Sequence, residues 1–157
     1  MKNLTTLTLA ACAALTLNAC GGTAPDDGAD ADWTATDRYT EMCTGAPDVA
    51  AELADAVAPV TVPAGGHVQQ VTIRDGGAAV AVRVCAPIAG DELRRVAEDL
   101  AIGMKQSALG ETIQTVSVHA WPDDEAPEAR LRQDNFQDYL HNGKGAEGAV
   151  FASWKAA

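Results

Sequence analysis

The chain has 157 residues, with 11 lysines and arginines against 22 aspartates and glutamates, and a net charge of −11 at pH 7. A length of this order is typical of one domain. The charge argues against a nucleic-acid-binding protein, because each phosphate contact needs a cation and the negative background repels a polyanion. It also argues against electrostatic adsorption to anionic lipid, so any membrane attachment has to be covalent.

The N-terminus has the layout of a secretory signal. Lys2 gives it a positive start, and residues 4–17 form a moderately apolar run. That run is too short to span a bilayer as a helix, which takes about 20 apolar residues, and it suits the core of a signal peptide. It ends in Leu17-Asn18-Ala19-Cys20, an apolar residue and two smaller ones before a cysteine.

This ending resembles the lipobox of bacterial lipoproteins. The resemblance implies that Cys20 receives a diacylglyceryl group, that cleavage removes residues 1–19, and that the chain is anchored to the cell membrane, facing outside the cytoplasm. A second pattern, Leu9-Ala10-Ala11-Cys12, leaves only about five apolar residues upstream, which is short for a signal core. Cys20 is therefore the predicted lipidation site. The alternative is an ordinary secretory signal that is cut without lipidation.

Residues 20–32 are small and acidic and include no large apolar side chain. Such a segment cannot form a core, and it predicts a flexible tether that spans roughly 20 Å. The remainder, residues 33–157, is predicted to form a single domain.

This domain contains two cysteines, Cys43 and Cys85. An even number of cysteines in an exported chain predicts a structural disulfide. Closing a loop of about 43 residues would stabilise the domain by roughly 4 kcal/mol in the chain-entropy model. A redox pair, the alternative, would normally have the spacing C-x-x-C, which the sequence does not contain.

The first half of the domain predicts helical structure followed by a hairpin. Apolar residues recur at three- and four-residue spacing over residues 36–60, with a break at Gly45-Ala46-Pro47. Residues 68–74 and 79–85 alternate as strands do. Between them, Asp75-Gly76 predicts a two-residue type I′ turn, in which both central residues take positive φ.

The second half predicts a long helix over residues 91–109. An apolar stripe and a charged, solvent-facing side are expected on this helix. The stripe consists of Leu93, Val96, Ala97, Leu100 and Met104, and the charged side of Glu92, Arg95, Glu98, Asp99 and Lys105.

After Gly110 the sequence predicts a strand over 112–121, an acidic loop, a polar helix over 129–140, a glycine-rich loop and a last strand over 149–154. The predicted class is α+β with the order α-β-β-α-β-(α)-β. We expect a small antiparallel or mixed four-stranded sheet with helices packed on one face.

The sequence contains no catalytic constellation. Its Gly143-x-Gly145-x-x-Gly148 run matches the dinucleotide-binding pattern by letters, but it precedes the last predicted strand and does not lie between a strand and a long helix, so no cofactor is predicted. The three histidines, His67, His119 and His141, belong to no spaced metal motif. The weak metal candidate is His119 with Asp123 and Asp124, where a strand runs into the acidic loop. Ser117 and His119 share a strand face, but Cα atoms two residues apart lie about 6.5–7 Å from each other, which would strain a Ser–His bond.

The aromatic side chains are few, and we expect them to fill the core of a domain rich in valine and alanine. Those weighed as alternative interface anchors are Trp33, Trp121, Phe136, Tyr139 and Trp154.

The leading functional hypothesis is a lipid-anchored module that binds a protein or another envelope component. The alternatives are a small exported hydrolase or metal-dependent enzyme, and a structural envelope protein without a ligand.

Overall fold

The computed structural model describes residues 43–121, 126 and 128–157, all of which belong to the compact unit Trp33–Ala157. The predictions for Cys20, the tether, Trp33, the helical residues 36–42 and the loop aspartates Asp123 and Asp124 lie outside the described residues. None of the described helices is long and apolar enough to cross a bilayer.

The domain is built on one six-stranded mixed sheet, in which the strands lie side by side in chain order. The strands are β1 (Asp48–Val49), β2 (His67–Arg74), β3 (Ala79–Cys85), β4 (Thr115–Trp121), β5 (Arg130–Gln133) and β6 (Lys155–Ala156). The β1–β2 and β3–β4 pairs are parallel, and the other three pairs are antiparallel.

Three helices accompany the sheet: α1 (Ala54–Val57), α2 (Gly90–Gln106) and α3 (Glu147–Ser153). A 3-10 turn, Ala51–Leu53, leads into α1, and three more lie at Pro63–Gly65, Asp75–Gly77 and Phe136–Asp138. The predicted α+β class is confirmed. The predicted four-stranded sheet is wrong, because the sheet has six strands.

Strand β3 has the predicted bounds, and β2 begins one residue earlier than predicted. Positive φ occurs at Asp75 (53°) and Gly76 (65°), as the turn prediction required. The turn itself is longer than two residues, because Arg74 pairs with Ala79 and leaves four residues between the strands. Gly77 also has a positive φ, of 103°, which extends the left-handed stretch.

Two predictions for the C-terminal third are wrong. The predicted polar helix over 129–140 is instead the strand β5, in which Leu131 and Gln133 are buried and Arg132 is exposed. Alternation with a period of two explains the strand. The predicted strand over 149–154 is the helix α3, and pairing begins only at Lys155.

The helical structure predicted over residues 36–60 differs from the structure observed around Pro47. Around the break at Pro47 the chain forms β1, whose Val49 pairs with Val71, and helical turns begin only at Ala51. The periodicity over 49–60 therefore combines one short strand with two helical turns.

The core lies between α2 and one face of the sheet. Val82 of β3 lies beside its register partner Val118 on the parallel strand β4, and Val118 lies beside Leu131 on β5. All five residues of the predicted α2 stripe are buried, as predicted. Burying each large aliphatic side chain contributes roughly 1.5–3 kcal/mol, so this layer is the main source of stability.

Helix α2 approaches α1 closely at Gly103. A Cβ atom placed on Gly103 would lie 2.3 Å from the carbonyl oxygen of Ala56, which is backbone and cannot rotate away. Gly148 in α3 is different, because a Cβ atom there would meet nothing within 4 Å.

We expect Gly103→Ala to destabilise the domain and Gly148→Ala to stabilise it. Alanine in place of glycine inside a helix ordinarily gains about 0.5–1 kcal/mol. At Gly103 the clash with Ala56 outweighs this gain, because one helix has to move away from the other. Urea unfolding of both variants measures the two free energies. Equal stabilisation by both substitutions would contradict the close approach.

Candidate functional site

The helices pack against one face of the sheet. Register partners of neighbouring strands project to the same side, and successive residues project to opposite sides. The side that bears Val82 and Val118 lies under the helices. We call the other side of the sheet the open face.

The open face carries four rows of side chains in register across the strands, of which the row His67, Cys85 and Trp121 lies at the end of β3 and β4. Of the other three, the first row is Asp48, Gln70, Arg83, His119 and Arg130; the second is Thr72, Ala81, Ser117, Arg132 and Lys155; the third is Arg74, Ala79 and Thr115. The residues of these three rows are exposed or half-buried, unlike their buried neighbours in β3 and β4.

The open face is rich in positive charge. Of the nine arginines and lysines in the described residues, five lie in these rows, namely Arg74, Arg83, Arg130, Arg132 and Lys155. Neighbouring strands are about 4.8 Å apart, so the cations of β3, β5 and β6 lie within reach of one ligand. The Arg83 guanidinium lies over the Trp121 ring at 5.5 Å from its centroid.

The acidic residues are distributed differently. Asp48 is the sole acid within a described strand, and it accepts a hydrogen bond from Gln70 at 3.3 Å. The other acids of the described segments lie in helices, turns and loops. One of them, Asp134 directly after β5, accepts a hydrogen bond from Arg132 Nε. A carboxylate therefore already contacts the edge of the open face.

Two side chains of the open face, His119 and Ser117, were candidate site residues from the sequence alone. His119 lies in the first row between Arg83 and Arg130, while its proposed metal partners Asp123 and Asp124 lie outside the described residues. Ser117 donates to the carbonyl oxygen of Val80 at 3.5 Å. Among the residues that the structure describes, no three His, Cys, Asp or Glu side chains gather in a way that could hold a metal ion.

The predicted disulfide is present between Cys43 and Cys85, whose Cα atoms are 5.9 Å apart. Cys85 is in register with Trp121. The bridge thus attaches the chain that follows residue 43 to the end of β3, beside the first row of the open face. Gln69 adds to this attachment by donating to the carbonyl oxygens of Gly45 and Ala46 at 3.3 Å.

A second polar cluster lies on the opposite, helix-covered side and centres on His141. Its Nδ1 is 2.7 Å from Glu98 Oε2, its Nε2 is 2.9 Å from Gln133 Oε1, and its side chain is 2% exposed. The ring also stacks on Phe136 at 4.9 Å. Glu98 was predicted to face water, but its side chain is only 12% exposed.

These contacts give His141 a structural role. Its φ of 42° lies in the left-handed region, which costs free energy for a residue with a Cβ atom. The hydrogen bonds to α2 and β5 offset that cost. Both ring nitrogens are occupied by protein partners, so neither is directed at a substrate.

Beside this cluster is a cavity of about 340 Å³. Its lining includes Tyr139 and Leu140, which are 40% and 80% exposed, together with Ala149 and Val150 of α3. The walls are therefore largely apolar. At its base, His141 Nδ1 and Glu98 Oε2 already bond to each other.

The aromatic residues divide between core and surface. Phe136 (0%) and Trp154 (2%) are buried, as predicted, whereas Tyr139 is exposed and Trp121 is half-buried on the open face. Sequence reasoning missed the cations of β5 and β6, since it had assigned one segment to a helix and ended the other strand at residue 154. The alternation in Arg130-Leu131-Arg132-Gln133 was the available signal.

Comparison with family models, with curated proteins and with solved structures finds no match to this chain.

The pKa of Asp99 on α2 is raised above its ordinary value. Partial burial of the carboxyl group is the larger cause, and the adjacent charge of Glu98 is the second. An acid whose folded-state pKa is raised makes its greatest contribution to stability below the unfolded pKa. That contribution is lost as the pH rises through the folded value.

We therefore expect Asp99→Asn to raise the midpoint of thermal unfolding at pH 7, and the gain to disappear below about pH 3.5, where both states bind the proton. Glu92→Gln is the matched control. Glu92 lies exposed in the first turn of the same helix, and its negative charge is favourable there, so its loss should lower the midpoint slightly. A pH-independent effect of Asp99→Asn would contradict this explanation.

Proposed function

We propose that the chain is an exported lipoprotein, anchored to the membrane through Cys20, whose domain binds another protein of the cell envelope. The open face of the sheet is the proposed binding surface. The observation that carries the proposal is the concentration of five cations and the Trp121 ring on this face, in a chain whose net charge is −11.

Like charges that lie beside one another on one surface repel. Arg74, Arg83, Arg132 and Lys155 are exposed, and their mutual repulsion contributes nothing to folding. Arginine with tryptophan is also the composition that is enriched at the centres of protein interfaces. A partner that covers the face would relieve the repulsion.

Two features support export. The first is the lipobox-like segment that ends at Cys20, and the second is the Cys43–Cys85 disulfide. Disulfides persist outside the reducing cytosol. A membrane anchor followed by the acidic segment 20–32 would then present the domain to other components of the envelope.

The anchor is tested by mass spectrometry of the mature N-terminus. We expect the chain isolated from membranes to begin at Cys20 with a diacylglyceryl group on its thiol. Cys20→Ser should release the protein from the membrane fraction. A mature chain that begins elsewhere, or one that carries no lipid, would contradict the anchoring.

The binding surface is tested by photo-crosslinking in intact cells. A crosslinking amino acid replaces Thr72 or Thr115, two half-buried side chains of the open face, and in the control it replaces Asn142, an exposed residue of the loop before α3. We expect one crosslinked product of fixed mass from both open-face positions and not from Asn142. The same product from all three positions, or none from the open face, would contradict the proposal.

A further inference from the structure

We propose that the open face binds an acidic segment of its protein partner, a short stretch that carries several aspartates or glutamates. This inference rests on the proposed function, and it specifies the chemistry that the partner presents.

Charge complementarity is the first argument. Arg83, Arg132 and Lys155 are exposed and belong to three different strands of the same face. Arg130 adds its charge beside them, in register with His119. A carboxylate is the partner that this set of donors recognises, since arginine and lysine donate charge-assisted hydrogen bonds to it.

The spacing of the exposed cations is the second argument. Arg132 and Lys155 are register partners on the neighbouring strands β5 and β6, about 4.8 Å apart. Arg83 lies on the same face, two strands away from Arg132. A single carboxylate cannot contact all three, whereas a short segment that carries several carboxylates can.

The structure contains one example of this contact within the chain. Asp134 accepts a hydrogen bond from Arg132 Nε at the edge of the face. The pair is exposed, with side chains 55% and 47% accessible, so it contributes little to stability and a competing carboxylate could displace Asp134 at small cost.

The overall charge favours a short acidic segment over a long polyanion. Screening reduces interactions beyond about 8 Å at physiological salt, so a segment confined to the face experiences mainly its cations. A nucleic acid or an anionic membrane extends past the face. It would meet the acids of the helices and loops, such as Glu52, Asp55 and Glu111, which are all exposed.

The experiment titrates the mature chain with an N-acetylated peptide of about six glutamates at low salt, followed by nuclear magnetic resonance of the backbone amides. We expect shifts confined to β3–β6, and affinity that falls as salt is added. The combined variant Arg83→Gln, Arg132→Gln, Lys155→Gln should bind about tenfold more weakly or worse. The control Lys144→Gln removes an exposed cation elsewhere and should bind within about twofold of the wild type.

Four outcomes would overturn the inference. The first is that the peptide does not bind at low salt, and the second is that the combined variant binds it as tightly as the wild type. The third is that a DNA oligonucleotide, or vesicles rich in an anionic lipid, bind the same face equally tightly. The fourth is that the peptide binds only after Asp26, Asp27, Asp30 and Asp32 are replaced by asparagine. The last result would assign the face to the acidic segment of the chain itself. Thermal unfolding checks that each variant is folded before its affinity is compared.

The failure of this inference is distinguishable from the failure of the proposed function. If crosslinks form at Thr72 and Thr115 but the glutamate peptide does not bind, the face binds a partner by other chemistry and the acidic segment is wrong. If those crosslinks do not form, the proposed function is itself wrong.

Discussion

The burial of the valine side chains of β3 and β4 under α2 is the constraint on which the rest of the domain depends. These strands are parallel neighbours, so the chain has to cross from the end of one to the start of the next, and α2 is that crossover. Because side chains alternate along a strand, burying Val82 and Val118 turns Arg83 and His119 to the other side. A register slip of one residue would bury the charge of Arg83, which costs several kcal/mol without a partner. The register that forms the core therefore also forms the open face.

The sequence was sufficient wherever local pattern and long-range packing agree. In α2 all five apolar positions follow the helical repeat and all are buried, and in β3 every second residue is a buried valine. These elements face one large layer, so their periodicity is strong. The disulfide was also predictable, because the domain expected from the sequence contains two cysteines, which have one possible pairing. The parallel neighbours β3 and β4 could be anticipated from the helix between them, but not their register.

The C-terminal third was not predictable in the same way, because its elements are short and depend on partners that are distant in sequence. Strand β5 has four residues, the shortest run over which alternation can indicate a strand. Its Gln133 is polar yet buried, since it bonds to His141 and pairs in the sheet with Val116. Nothing local indicates that burial. The cations of the open face share this dependence. Arg130 and Lys155 are separated by 25 positions in the chain, and they belong to one surface only because β5 and β6 pair.

The His141 cluster and the cations of the open face differ in how far their contacts are made within the chain. His141 is buried, contacts protein groups through both ring nitrogens, and connects α2 to β5; its contacts are complete within the chain. Four of the five cations of the open face are exposed and Arg130 is half-buried, and strand pairing places those of β5 and β6 beside one another although they repel. Folding alone does not require that arrangement, because neutral polar residues at the same outward positions would leave the valine layer unchanged. Among the acids of the described residues, Asp134 pairs with Arg132 at the edge of the face, and only Asp48 lies within a strand. The segregation of charge on this domain is thus independent of its core.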